Sequence, residues 1–179
     1  MKKQILVILF GVFALTLNAQ KIMEKGDFML NAGIGGFSNY GLIPSVNASL
    51  EVGVIPTGDV GIVTFGGIAA YQLGLDTYYG YGYYPDESYT YSVFVIGGRA
   101  SWHLQTFESD KWDVYAGAGI GVKFKSGYEI YGVNYDGYVG PYGEGYVGGR
   151  MMFNEAFGLF GEVGYGTLSS IKFGVTFGF

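Results

Sequence analysis

The side chains able to do chemistry are few, and their intervals constrain them. Glu51, Arg99, Lys123, Glu144, Arg150, Glu162 and Lys172 each fall at the polar position of a stretch whose alternate residues are apolar. Such alternation marks a strand with two unlike faces, so the seven charges share one side of a sheet. If that side is enclosed, the charges must pair. Folding about the turn Asn154–Ala156 would set Arg150 opposite Glu162, and folding about Gly166–Ser169 would set Glu162 opposite Lys172. The spacing therefore predicts Glu162 between two cations, with Glu51, Arg99, Lys123 and Glu144 extending the network. A plug that satisfies itself is the structural outcome; a gated ion path is the functional alternative.

Other chemistry is thinly supplied. One histidine, His103, and no cysteine exclude the usual transition-metal clusters. His103 falls at the inward parity and is expected to be inert. The spacing Gly117-x-Gly119-x-Gly121 imitates a phosphate loop, but it lies inside a strand pattern with no helix to follow. Asp76, Asp86 and Glu87, or Glu129 and Asp136, offer oxygens to calcium without the ordered spacing a site needs. No cofactor is expected. Two tyrosine-rich segments remain, "DTYYGYGYYPDESYTY" and "GYEIYGVNYDGYVGPYGEGY", containing Tyr78, Tyr79, Tyr81, Tyr83, Tyr84, Tyr131, Tyr135 and Tyr138. Tyr with Gly and Ser gives large contact area at low entropy cost, the composition of adaptable binding loops. The same rings could equally collapse over the mouth of a barrel.

The elements that must position these residues are strands. After Lys25 the apolar alternation divides into Phe28–Gly36, Val46–Val54, Gly61–Leu73, Tyr91–Leu104, Trp112–Phe124, Glu144–Phe153, Phe157–Tyr165 and a last stretch from Ile171. Short connections at one end (Ile55–Asp59, Gln105–Lys111, Asn154–Ala156) alternate with mostly longer ones at the other, as in an up-and-down barrel. Ahead of them, Lys2-Lys3 and the apolar run Ile5–Leu17 have the layout of a secretory signal, with cleavage expected after Ala19 and the barrel domain spanning 20–179. The run is shorter than the ~20 residues a membrane helix needs. Cleavage removes two lysines, leaving eight basic against fifteen acidic residues; that acidic balance argues against nucleic acid as a partner.

Which face is outside follows from the charge supply. Charged residues are 14% of the chain, against about 25% in soluble proteins, too few to coat a solvated surface. The polar face is mostly Gly, Ser, Thr, Asn and Tyr, which suits a narrow interior. Phe28, Trp102, Trp112, Phe153, Phe157, Phe177 and Phe179 all fall on the apolar face near the short turns, where an interfacial aromatic girdle belongs. The fold expected is therefore all-β: an eight-stranded antiparallel up-and-down transmembrane β-barrel. A soluble secreted ligand-binding barrel is the competing architecture.

The signal-like start, the eight alternating strands, "DVYAGAGIGVKF", "FGLFGEVGYG" and the terminal "SIKFGVTFGF" together resemble the small bacterial outer-membrane β-barrels related in shape to OmpA and OmpX. The resemblance spans residues 20–179 and implies a monomer in the outer membrane of a Gram-negative bacterium, surrounded by outer-membrane lipid. It implies that Phe173, Val175, Phe177 and Phe179 are read by the barrel-assembly machinery. The composition of the tyrosine-rich loops points to an envelope-structural or adhesion-like role in which they meet an extracellular glycan or protein, with a narrow pore as alternative. Unlike full-length OmpA proteins, the chain is expected to end at the eighth strand, without a peptidoglycan-binding domain. Some barrels of this size modify lipids using a histidine near the outer leaflet; His103 is expected at the opposite end, so no enzymatic activity is expected.

Overall fold

The computed structural model describes residues 22–38, 40–41, 43–80, 85–105, 109, 111–166 and 168–179. The signal-like segment, Tyr81, Tyr83 and Tyr84 lie outside the described residues. Among the described residues ten strands are formed: β1 (Phe28–Gly36), β2 (Ser45–Pro56), β3 (Gly61–Tyr78), β4 (Glu87–Leu104), β5 (Trp112–Lys125), β6 (Tyr128–Ile130), β7 (Val133–Tyr135), β8 (Tyr138–Asn154), β9 (Phe157–Tyr165) and β10 (Ile171–Gly178). Eight of them close into an antiparallel barrel in the order β1-β10-β9-β8-β5-β4-β3-β2, while β6 and β7 make a separate hairpin. The alternation written in the sequence is the physical cause. Every barrel strand buries one parity and exposes the other, and closure removes the unpaired edges that hydrocarbon would penalise.

The exposed parity is the apolar one. Ile34, Val46, Leu50, Phe65, Phe94, Ile96, Trp102, Ile120, Val147, Val163 and Phe173 are all exposed, while Glu51, Arg99, Asp113, Glu144, Arg150, Glu162 and Lys172 are buried. That inversion overturns the soluble-barrel alternative, which needs its greasy face inside. Along β4 the outward apolar set runs from Phe94 to Leu104, with Ser88, Thr90 and Ser92 beyond it; at the rise and tilt of barrel strands this spans roughly 25 Å, the height of a membrane band. At the short-turn end Phe28 stacks on Phe179 at 6.1 Å, and Phe157 meets Phe153 at 5.8 Å and Phe177 at 5.5 Å. These rings make two groups of the girdle on the adjacent strands β1, β10, β9 and β8.

Four strands overshoot the band. β3, β4, β5 and β8 rise past the ends of β1, β2, β9 and β10, because "DTY" and "ESYTYS" keep strand pairing through Tyr78↔Glu87. Tyr and Thr favour strands without needing an apolar face. The result is longer strands and shorter loops than the expected Gly61–Leu73, Tyr91–Leu104 and Glu144–Phe153. The expected loop from Lys125 to Gly143 instead contains the β6–β7 hairpin and the start of β8. Its turn places both Tyr131 (φ 50) and Gly132 (φ 74) in the left-handed region, the requirement of a two-residue type I′ connection.

The narrow bore explains the pairing of glycine with tyrosine. Tyr115, Tyr146 and Tyr91 point inward directly opposite Gly148, Gly117 and Gly74 on the neighbouring strands. A Cβ at Gly148 would lie 2.7 Å from the Tyr115 ring, at Gly117 2.5 Å from the Tyr146 hydroxyl, and at Gly74 2.3 Å from the Tyr91 ring. Each large ring lies over a position where a side chain has no room.

Candidate functional site

The inward face of the barrel holds three tiers. At the short-turn end Met23, Met29, Ile62 and Met152 make a buried apolar plug, with Ile22 packed against it. The segment before β1 is tied there by the Gln105 side chain, which donates to the Met23 carbonyl, and by reciprocal backbone bonds between Gly53 and residues 26–27.

Above the plug lies the ionic tier. Arg150, on β8, donates from Nη1 to Asp113 Oδ2 (2.9 Å), from Nη2 to Glu51 Oε1 (3.1 Å) and from Nε to Asn31 Oδ1 (3.2 Å). Arg99, on β4, donates from Nη2 to both oxygens of Glu162 at 2.9 Å and lies 3.9 Å from Glu51 Oε1. Its Nε is 2.9 Å from Glu144 Oε1, an ion-pair contact outside hydrogen-bonding geometry. Lys172 Nζ reaches Glu144 Oε2 at 2.5 Å and Glu162 Oε2 at 3.5 Å. The Tyr115 hydroxyl donates to Glu162 Oε1 (3.1 Å), and its ring lies 4.4 Å below the Arg150 guanidinium. The Tyr146 ring sits 3.8 Å from the Arg99 guanidinium carbon.

Six of the seven charges expected to form a network come together here. Lys123 is a correction. It lies in a different tier, with Nζ 5.7 Å from the Tyr40 ring and 5.4 Å from the Tyr138 ring. A second correction concerns register. A tight turn at Glu155-Ala156 and a bulge at Met152/Asn154 place Arg150 opposite Phe160, so Gly148 is the residue facing Glu162. Glu162 still lies between two cations, but they are Lys172, its register partner, and Arg99 from across the bore. Parity survives a two-residue slip, which is why Arg150 remains inward.

Two residues were missed. Asp113 is inward and buried, and His103, expected to be inert, is fully buried beside it. His103 Nδ1 lies 2.8 Å from Asp113 Oδ2; Nε2 lies 3.1 Å from Glu51 Oε2 and 3.3 Å from Thr64 Oγ1. Thr64, His103 and Asp113 imitate a hydroxyl–imidazole–carboxylate relay. The Thr64 hydroxyl, however, donates to Glu51 at 3.0 Å, and the histidine has no exposed surface for a substrate to reach. The signal was available: "SWHL" and "WDVY" place both residues at the inward parity beside a short turn.

The third tier is aromatic. Ile68, Ala70, Tyr91, Val93, Val95, Tyr142 and Leu168 form a buried cluster against which Tyr40, Tyr89 and Tyr128 pack. Above it Tyr89 stacks on Tyr128 at 4.5 Å and Tyr128 on Tyr135 at 5.1 Å, with Lys125 Nζ 3.8 Å over Tyr91. Lys123 pulls the Tyr138 phenol below its ordinary value, while burial and then Asp76 push Tyr89 above its own. Of the loop tyrosines, Tyr78, Tyr79, Tyr135 and Tyr138 are exposed, and Tyr131 packs edge-on against Tyr78 at 6.0 Å. Phe173, Val175, Phe177 and Phe179 lie along the outward face of the closing strand and its end.

No family model and no curated protein matches the sequence. Among solved structures the chain is similar to Ail, the attachment invasion locus protein of Yersinia pestis, in complex with the heparin analogue sucrose octasulfate. The identity is 10%, the match covers 87% of this chain and 100% of that one, and the TM-score is 0.51. The chain has the fold of a small outer-membrane β-barrel. A second Ail crystal structure gives 11% identity, the same coverage and a TM-score of 0.48. At such identity the Ail-like likeness is one of backbone; the tiers described above belong to this sequence.

Proposed function

We propose that the chain is an integral outer-membrane protein of a Gram-negative envelope, monomeric and without enzymatic activity, whose raised, tyrosine-rich sheet makes adhesion-like contacts outside the cell. The observation that carries this reading is the inverted polarity: a continuous apolar belt outside and a closed ionic network inside. On this reading the short-turn end is periplasmic, and Phe173, Val175, Phe177 and Phe179 present the outward aromatic strand to the assembly machinery. The lumen serves stability, since it is closed by methionines at one end and tyrosines at the other, which disfavours a narrow pore. Fractionation tests the placement: the processed chain should enter detergent micelles and leave buffer, and a folded chain in plain buffer would refute it.

The surface reading has its own electrostatics. Ail is bound to a sulfated sugar analogue in one structure. Here the raised region carries Asp76, Asp86, Glu87, Glu129 and Asp136 against Lys123 and Lys125, and both lysines are engaged with tyrosine rings. A neutral glycan or a basic protein surface therefore fits better than a sulfated polymer. Changing Tyr79, Tyr135 and Tyr138 together to Ser should abolish adhesion to a glycan- or protein-coated surface and leave the barrel folded; unchanged adhesion would refute the assignment.

A further inference from the structure

We infer that His103 is the fourth cation of the lumen network, an imidazolium whose proton keeps the ionic tier neutral and locked. Both nitrogens of the ring face carboxylates. Nδ1 faces Asp113 oxygens at 2.8 and 3.0 Å, and Nε2 faces Glu51 Oε2 at 3.1 Å. A neutral imidazole has one bare nitrogen lone pair; on Nδ1 it would face Asp113, and on Nε2 it would face Glu51 unless the Thr64 hydroxyl, 3.3 Å away, gave up its bond to Glu51 to meet it.

A proton on Asp113 Oδ1, 3.0 Å from Nδ1, would pair that nitrogen but would take the anion away from Arg150. Asp113 Oδ2 already accepts from Arg150 Nη1, Glu51 Oε1 from Arg150 Nη2, and Glu51 Oε2 from the Thr64 hydroxyl. Both carboxylates are surrounded by donors, so each is used as an anion. Protonating both ring nitrogens gives each of them a carboxylate acceptor and keeps both carboxylates anionic toward Arg150.

The charge count agrees independently. The tier contains Glu51, Asp113, Glu144 and Glu162 against Arg99, Arg150 and Lys172. Among the described residues three fixed cations face four anions. Lys123 cannot make up the difference, because it lies among tyrosines in the tier above. His103 can. Among the described residues the groups around it are Glu51 from β2, Thr64 from β3, Asp113 and the Tyr115 ring (4.9 Å) from β5, and Arg150 from β8 through both carboxylates. Ile62, its register partner on β3, belongs to the apolar plug beneath.

The consequence is a lock released on the alkaline side. While the proton is held, the network contributes its full stability. When it leaves, the tier carries one unbalanced negative charge and one nitrogen opposes a carboxylate, so stability falls as pH rises.

The test uses the intact barrel in micelles. Side-chain nitrogen NMR of the wild-type protein should show both His103 ring nitrogens protonated at neutral pH; a neutral ring would overturn the inference. Urea midpoints from about pH 6 to about pH 10 are then compared for wild type, His103→Gln, Asp113→Asn and the double variant. His103→Gln should shift the folding equilibrium on the order of a hundredfold toward unfolded and remove the alkaline loss. The double variant, three cations against three anions, should recover much of the midpoint. Equal stability of His103→Gln and wild type, or a double variant no better than His103→Gln, would overturn it. If His103→Gln fails to fold, the NMR result on the wild-type protein decides.

Discussion

Followed from the long-loop end to the short-turn end, the inward side of β4 changes from Tyr89, Tyr91, Val93 and Val95 to Arg99, Ser101 and His103. The two halves fill the same bore by opposite means. In the ionic half each buried charge has a named partner at hydrogen-bond or ion-pair distance, so its geometry is over-determined. In the aromatic half rings pack on rings at 4.5 to 6.3 Å, and two lysines lie over ring faces. Such contacts tolerate sliding. Position relative to the belt supplies the reason. Charges enclosed behind hydrocarbon must be neutralised locally, whereas groups above it can borrow from water. The lower half is therefore a fastening and the upper half a surface that can adapt.

If that contrast is right, substitutions in the ionic half should cost several times more than those above. Arg150→Met should have the largest effect, because it leaves Glu51, Asp113 and Asn31 without a shared donor; breaking a buried ion pair from one side costs about 3–5 kcal/mol. Urea unfolding in micelles measures it, and a loss under about 1 kcal/mol would end the contrast. Glu162→Gln comes next. It keeps the shape but withdraws the anion from Arg99, Lys172 and the Tyr115 hydroxyl, at about 2–3 kcal/mol. Gly148→Ala tests the ring-over-glycine packing instead of charge. The new methyl meets the Tyr115 ring at 2.7 Å and should cost about 1–3 kcal/mol. Adding Tyr115→Leu to Gly148→Ala should restore part of that loss.

These same residues show what a sequence can and cannot reveal. Parity was readable in every strand but Gly61–Leu73, where both faces carry apolar residues, because a period of two survives small errors of register. Arg150, Glu162 and Lys172 therefore point inward as expected, even though Arg150 opposes Phe160 and not Glu162. The Glu162–Lys172 register was accessible because both flank one short connection. The Arg99–Glu162 and Arg150–Glu51 contacts were not. They cross the bore between strands that are not neighbours, and their heights depend on the stagger of the closed sheet, which no local pattern encodes. Lys123 was assigned to the wrong tier for that reason: its parity is right but its height is not. The overshooting strands were missed because apolar alternation ends at the membrane edge while strand pairing continues.

Lys125→Met gives the smallest expected effect and the sharpest view of the upper half. Lys125 Nζ lies 3.8 Å from the Tyr91 ring centroid and 5.4 Å from that of Tyr128. A cation over a ring near water contributes about 0.5–1 kcal/mol, and the methionine stem still covers the ring. The barrel should therefore lose under about 1 kcal/mol in the same unfolding assay, and the Tyr91 and Tyr128 resonances should broaden without any change at His103. A loss as large as that of Arg150→Met would mean that the aromatic tier is fastened by charge as well. The boundary between the two halves would then fall above Lys125, beyond the apolar belt, and enclosure behind hydrocarbon would no longer explain it.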